Sequence, residues 1–180
     1  MCKSAVPHYV DNGDGTVTDN QSGLMWEQKD NNCAGGATAS YTLPHCYLNY
    51  YSWGDGLPPY LPNGTLYSVF LALLNTNYLH GTNPQGCYAG HCDWRIPTLG
   101  ELRSLHFDPC GTAPCIDPIF VNTPDGTSAF LGTWSSTPAS DDTTINGPSS
   151  AWAVYFESSG VGQDLPMWQW GFARAVRYAR

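Results

Sequence analysis

Asp93-Trp94-Arg95-Ile96-Pro97-Thr98-Leu99-Gly100-Glu101-Leu102-Arg103-Ser104-Leu105 is the stretch from which the rest of the chain is read. Trp94 to Ile96 suit an extended lead-in, and the residues after Pro97 suit a short helix. Thr98 and Glu101 stand at the spacing of a capping box: the Thr hydroxyl accepts the N–H three residues on, and the Glu reaches back to the Thr N–H. Pro97 keeps the chain extended before the cap and is placed to pack on Leu102. Leu102 and Leu105 share one helix face, and Asp108-Pro109 end the helix. Arg95 and Glu101 are placed to pair across its start.

Upstream, residues 8–28 read as a meander. His8-Tyr9-Val10 runs into the turn cluster Asp11-Asn12-Gly13-Asp14-Gly15, Thr16-Val17-Thr18 comes next, and Leu24-Met25-Trp26 continues after Gln21-Ser22-Gly23. Set on a calcium-loop template aligned at Asp14-Gly15, the first ligand position falls on Val10 and the last on Gln21, so a hairpin turn is favoured. Residues 31–63 show no sustained period and read as an insertion held by Cys33 and Cys46, presenting Tyr47, Tyr50, Tyr51 and Trp53. Leu66, Phe70, Leu73 and Leu74 then recur at helical spacing, predicting a helix over 65–79. Downstream, three strands are predicted, at 130–135, 151–157 and 172–178. In the middle one Trp152, Val154 and Phe156 should face the core and Ala153, Tyr155 and Glu157 the outside. The polar 137–150 segment and the 158–171 segment read as loops. The pattern is one α+β domain over residues 1–180, with two helices, a twisted antiparallel sheet, long loops and disulfides.

Composition narrows the partners. The 180 residues carry a net charge of −8, with seven Lys+Arg against fifteen Asp+Glu. That balance argues against nucleic acid, anionic membranes and sulfated polysaccharides, all of which need a basic footprint. Aromatic residues make up 13%, including seven Trp and eleven Tyr, which serve as bulky core or as flat contact platforms. The longest mostly apolar run, Leu66 to Leu74, is too short for a membrane span. No signal peptide is visible, which fits a processed or engineered N-terminus. Of the seven cysteines, Cys33/Cys46, Cys87/Cys92 and Cys110/Cys115 form locally spaced pairs. Such pairs suit disulfides in an oxidising compartment better than zinc, because none is a C-x-x-C followed by a matching His pair. Cys2 is left over, either as a free thiol near a frayed end or as a lipid-modified or intermolecularly bonded cysteine.

Several short motifs in order resemble the Lcl C-terminal domain family, named for the terminal domain of a bacterial collagen-like adhesin. They are Asn12-Gly13-Asp14-Gly15-Thr16-Val17-Thr18-Asp19 with Gly23-Leu24-Met25-Trp26, the central Asp93-Trp94-Arg95-Ile96-Pro97-Thr98 with Glu101-Leu102, Ile116-Asp117-Pro118, Trp134-Ser135-Ser136, Ala151-Trp152 with Val154 and Phe156, and Arg174-Ala175-Val176-Arg177. The resemblance runs from about residue 8 to the C-terminus, outside the insertion. The Arg95-Ile96-Pro97-Thr98…Glu101 core is also similar to that of formylglycine-generating enzymes. These resemblances imply a C-type-lectin-like fold, secreted or surface-held, that binds ligands without transforming them. The copper-holding cysteines of formylglycine-generating enzymes have no counterpart, since none follows Cys115. The Glu-Pro-Asn, Gln-Pro-Asp and Trp-Asn-Asp tripeptides of calcium-dependent lectins are absent too. The adhesin's association with sulfated glycans conflicts with the −8 charge.

No nucleophile–base pairing is legible. Ser104, His106 and Asp108 are close in sequence but do not share a helix face, His91 adjoins a cysteine, and Asp141-Asp142 read as solvated charges. Neither catalytic residues nor a metal or cofactor are expected. Trp94, Trp134 and Trp152 read as core. Tyr155, Glu157, Gln163, Asp164, Trp168 and Trp170 read as the ligand-binding set, on a strand's outer face and the loop after it. The sequence therefore points to an extracellular recognition or adhesion domain for a glycan or protein. The alternative is a structural subunit of a surface assembly, with the same aromatics and Cys2 meeting neighbouring copies in a homo-oligomer.

Overall fold

The computed structural model describes residues 7–33, 43–76, 86–107, 109–124, 131–139, 148–157 and 162–180. The opening meander is β1 (Tyr9–Asp11), β2 (Thr16–Asp19) and β3 (Leu24–Glu27), each antiparallel to the next. Its first turn is built from short-range caps: Asp11 Oδ1 accepts the Gly13 N–H at 2.8 Å, and Asp14 Oδ1 accepts the Thr16 N–H at 3.0 Å. β4 (Tyr50–Ser52) precedes a π-helical turn, Leu66–Leu71, that runs into α1 (Ala72–Thr76). A 3₁₀ turn at Tyr88–Gly90 leads to the central stretch and α2 (Leu99–Ser104). The remaining strands are β5 (Thr133–Pro138), β6 (Ser150–Val154), β7 (Gly162–Pro166), β8 (Trp170–Phe172) and β9 (Val176–Tyr178).

The strands form two sheets, ordered β1-β2-β3-β9 and β4-β8-β5-β6-β7, where a single antiparallel sheet was expected. In the second, β5 and β8 pair in parallel. The strand expected at 172–178 is split. β8 and β9 belong to different sheets, and Ala173, Arg174 and Ala175 between them are all buried. Within this break the Arg174 guanidinium donates to the Glu27 carbonyl of β3 at 2.6 Å. β4 lies in the expected insertion and β7 in an expected loop. Three-residue strands show no period, and β7 is an edge strand with exposed polar residues.

The central stretch stitches the sheets together. Arg95 and Val176 exchange two main-chain hydrogen bonds, each 2.9 Å, so Arg95 extends the first sheet past β9. Two residues on, the Pro97 carbonyl accepts the Ser136 N–H of β5 at 2.7 Å. The capping box forms as read: Thr98 Oγ1 accepts the Glu101 N–H, and the Glu101 carboxylate accepts the Thr98 N–H. Arg95 grips Glu101 with two hydrogen bonds of 2.8 and 2.6 Å.

Two apolar clusters result. One gathers Tyr51, Trp53, Leu66, Phe70, Leu74, Trp94, Trp134 and Met167 between the second sheet and the helical segment. The other packs Val17, Trp26, Leu102, Leu105, Val154, Phe156 and Val176 around α2. Each such side chain, fully buried, contributes roughly 1.5–3 kcal/mol. β6 is therefore covered on both faces, which overturns the expected alternation: Ala153 is fully buried, Tyr155 is buried, and Trp152 is half-exposed. Of the insertion's four aromatics, Tyr51 and Trp53 are core residues that pack it onto the body. The helix expected over 65–79 is described to Thr76, as a π turn followed by α1. The three cysteine pairs are bonded as spaced: Cys33–Cys46, Cys87–Cys92 and Cys110–Cys115. Cys2, Asp108 and Asp141-Asp142 lie outside the described residues.

Candidate functional site

Trp168 and Trp170 stand on the turn from β7 to β8, which the Gln169 N–H closes onto the Pro166 carbonyl at 2.9 Å. Met167, fully buried, roots the turn in the core, and the two indoles project outward, 59% and 44% exposed. Both are held in place. The Trp170 ring meets Tyr50 of β4 edge-on, with centroids 5.3 Å apart. Trp168 lies against Gly56: a Cβ there would sit 2.9 Å from its Cδ1, and the backbone has φ +74°, so only glycine suits the position.

Gly56 belongs to a loop, 54–63, locked to the turn and to itself. The Gly54 N–H donates to the Met167 carbonyl at 2.9 Å. Asp55 and Asn63 clasp each other, Asn63 Oδ1 accepting the Asp55 N–H at 2.9 Å and Asn63 Nδ2 donating to Asp55 Oδ2 at 2.8 Å. The Leu57 N–H and the Asn63 amide hold the Asp55 carboxyl below its usual range, so it is ionised at neutral pH. The loop also exposes Leu57 and Leu61, 64% and 53%.

The loop's stem is anchored by a buried ionic cluster. Glu27, at the end of β3, has its Oε1 2.8 Å from Lys29 Nζ and 2.7 Å from His45 Nδ1, and its Oε2 accepts the Ala175 N–H at 2.9 Å. Arg174 completes the cluster through the Glu27 carbonyl and, at 2.8 Å, Thr123 Oγ1. Burial pushes the Glu27 carboxyl up, but Lys29 and His45 outweigh it and bring it down to about 2. An ionised Glu27 only accepts, so His45 Nδ1 carries the hydrogen. Burial lowers Lys29, against the pull of Glu27, and takes Arg174 down to about 10. The Cys33–Cys46 bridge fixes the same stem covalently.

The structure divides the residues expected to bind ligand. Trp168 and Trp170 share one turn. Gln163 and Asp164 are exposed on β7, which leads into it, opposite Ala153 and Trp152 respectively. Tyr155, expected to face outward, is 8% exposed, and its ring packs over Gly132, where a Cβ would lie 3.0 Å from Cε2. Burial raises its phenol pKa, with the Glu157 charge adding to the effect. Glu157 is half-buried past the other end of β6, its carbonyl 3.1 Å from His106 Nε2. It lies seven positions along the chain from Ser150, on the order of 20 Å at strand spacing. The candidate site is therefore smaller than the expected set and shifted toward the insertion. The parts missed were Tyr50, Gly56, Leu57 and Leu61. The run Leu57-Pro58-Pro59-Tyr60-Leu61, apolar yet full of prolines, was their one visible sign.

Ser104 and His106, already set aside as a catalytic pair, have separate partners: Ser104 Oγ donates to the Glu101 carbonyl at 2.7 Å, and His106 Nε2 bonds the Glu157 carbonyl. Among the described residues no group of three His, Cys, Asp or Glu is placed to hold a metal ion. Two concavities of about 360 and 370 Å³ flank Asp117 and Pro118, and neither contains a residue of the aromatic turn. Among the described residues no helix is long and apolar enough to cross a membrane.

No curated protein and no solved structure matches the chain. The sequence pattern of the Lcl C-terminal domain does match, over residues 15–177, from the first hairpin turn to the last strand. That span takes in the Arg95–Glu101 hub, the five-stranded sheet, the aromatic turn and all of the first sheet except β1 and the last residue of β9. Together with the three disulfides, it points to an adhesin-like domain of the extracellular space. The chain belongs to the Lcl C-terminal domain family.

Proposed function

We propose that the protein is an extracellular, non-enzymatic recognition domain of C-type-lectin-like architecture, which engages a glycan or protein ligand through Trp168 and Trp170. The observation that carries this reading is the pair of half-exposed indoles, each fixed from behind by Tyr50 or Gly56. Large aromatics held rigid and outward lose little conformational entropy on binding, which is what a recognition surface needs. Gln163 and Asp164 supply polar contacts at its margin. The test is a glycan and protein binding screen repeated with Trp168→Ala and Trp170→Ala. Binding should fall at least tenfold in each variant, and unchanged binding in both removes the site.

Leu57 and Leu61 favour a second reading, a subunit of a surface assembly in which this apolar loop meets neighbouring copies. Light scattering after size exclusion, with and without reductant, separates the two. A strict monomer at high concentration counts against the assembly.

A further inference from the structure

Resting on the reading that the Trp168–Trp170 turn is the binding surface, we infer that its ligand is an uncharged glycan. The argument begins with where the cations are. The sequence holds seven Lys and Arg, and Lys3 lies outside the described residues. Lys29 and Arg174 are buried around Glu27. Arg177 is buried against Asp93, with Nε 2.7 Å from Oδ1. Arg95 is gripped by Glu101 and stacks over Tyr178. Arg103 on α2 and Arg180 are left as the exposed cations among the described residues. Neither is near the turn in sequence. No Lys or Arg occurs between Lys29 and Arg95 or between Arg103 and Arg174, the two runs that contribute the whole candidate site.

A sulfated or uronic-acid polymer would thus meet Asp55 and Asp164 on two runs of chain that contribute no Lys or Arg to neutralise it, on a protein of net charge −8. What the surface does offer is two indole platforms and a set of hydrogen-bonding groups, Asp55, Asn63 and Gln169 around them. A neutral pyranose suits that combination. Its C–H face stacks on an indole, and its hydroxyls donate to carboxylate and amide oxygens. Because no counterions need be displaced, binding should be almost independent of salt.

The experiment is a glycan array followed by calorimetry on the whole chain. Its arms are neutral gluco-, manno- and chito-oligosaccharides, heparin and other sulfated glycans, and a protein-ligand screen. A neutral oligosaccharide should bind, with affinity changing less than about twofold between roughly 50 and 500 mM NaCl, an order-of-magnitude expectation for contacts without ion pairs. Trp168→Ala and Trp170→Ala should each weaken it about tenfold or more, whereas Trp168→Tyr, which keeps a stacking ring, should retain most of the affinity. Gly56→Ala displaces the Trp168 ring without removing any ligand-contacting group, and should weaken binding while far-ultraviolet dichroism stays native. Salt-sensitive binding of sulfated glycans, or binding of a protein alone at the indoles, overturns the inference but leaves the site standing. Neutral-glycan binding untouched by either Trp variant overturns the site, and with it this inference. No binding anywhere on the array overturns the inference.

Discussion

Glu27 and His45 meet at 2.7 Å with the carboxylate fully buried and the imidazole almost so, and the contact ties the end of β3 to the insertion that carries the 54–63 loop. Removing the carboxylate's charge leaves Lys29 and Arg174 in the core without their counter-ion. Breaking a buried ion pair from one side generally costs about 3–5 kcal/mol. Glu27→Gln should lose about that much in urea unfolding, an outcome that a merely peripheral contact would not produce.

The same group sets an acid limit. Its folded pKa of about 2 lies below the ordinary 4.5, so the folded state favours the ionised form. The stabilisation is fully present above about pH 4.5 and is lost as pH falls toward 2, on the order of 3 kcal/mol across that window. Urea midpoints measured from about pH 7 down to about pH 2.5 should decline below about 4.5 in the wild type, with a shallower slope in Glu27→Gln.

Two glycines should answer alanine in opposite directions. At Gly171 a Cβ would lie 2.6 Å from Trp134 Nε1 and 2.9 Å from the Gly132 carbonyl, so the indole lying across β8 has no room to yield. Gly171→Ala should destabilise by about 1–3 kcal/mol, the range for overpacked cores. Gly100, in the first turn of α2, has nothing within 4 Å of the same position. Gly100→Ala should stabilise by about 0.5–1 kcal/mol through helix propensity. Thermal unfolding of both variants checks the contrast.

The cap of α2 offers an additive test. Thr98→Ala removes the acceptor of the Glu101 N–H, and about 1 kcal/mol is expected to go with it. Because Glu101 also holds Arg95, the double variant with Glu101→Ala should be less destabilised than the sum of the singles. A denaturation-based double-mutant cycle measures that coupling.

The parts of this fold that were legible in the sequence depend on near neighbours. The Thr98–Glu101 box, the three short cysteine loops and the Asp11–Gly15 turn are each decided within a short span of chain. What was not legible depends on distant pairings. Nothing local to Arg174 signals its bond to Glu27 on β3, and nothing local marks the break between β8 and β9. Tyr155 was misplaced because alternation assumes one wet face, whereas Val154, Tyr155 and Phe156 are buried one after another at the end of β6. The candidate site was legible only in part for the same reason: surplus Trp on a loop is visible, but the Gly56 beneath Trp168 is 112 positions upstream. Tyr50 was read only as an aromatic of the insertion, because a three-residue strand has no period to place it behind Trp170.

β1 and β9, the first and last strands, lie in the same sheet, separated only by β2 and β3. Tension applied at both ends of the described chain therefore runs through that sheet as a load path, with Arg95 clamping the outer edge of β9. The five-stranded sheet, with the aromatic turn at its β7–β8 join, sits off this path. Strain along that path meets the four-stranded sheet and leaves the β7–β8 turn outside it.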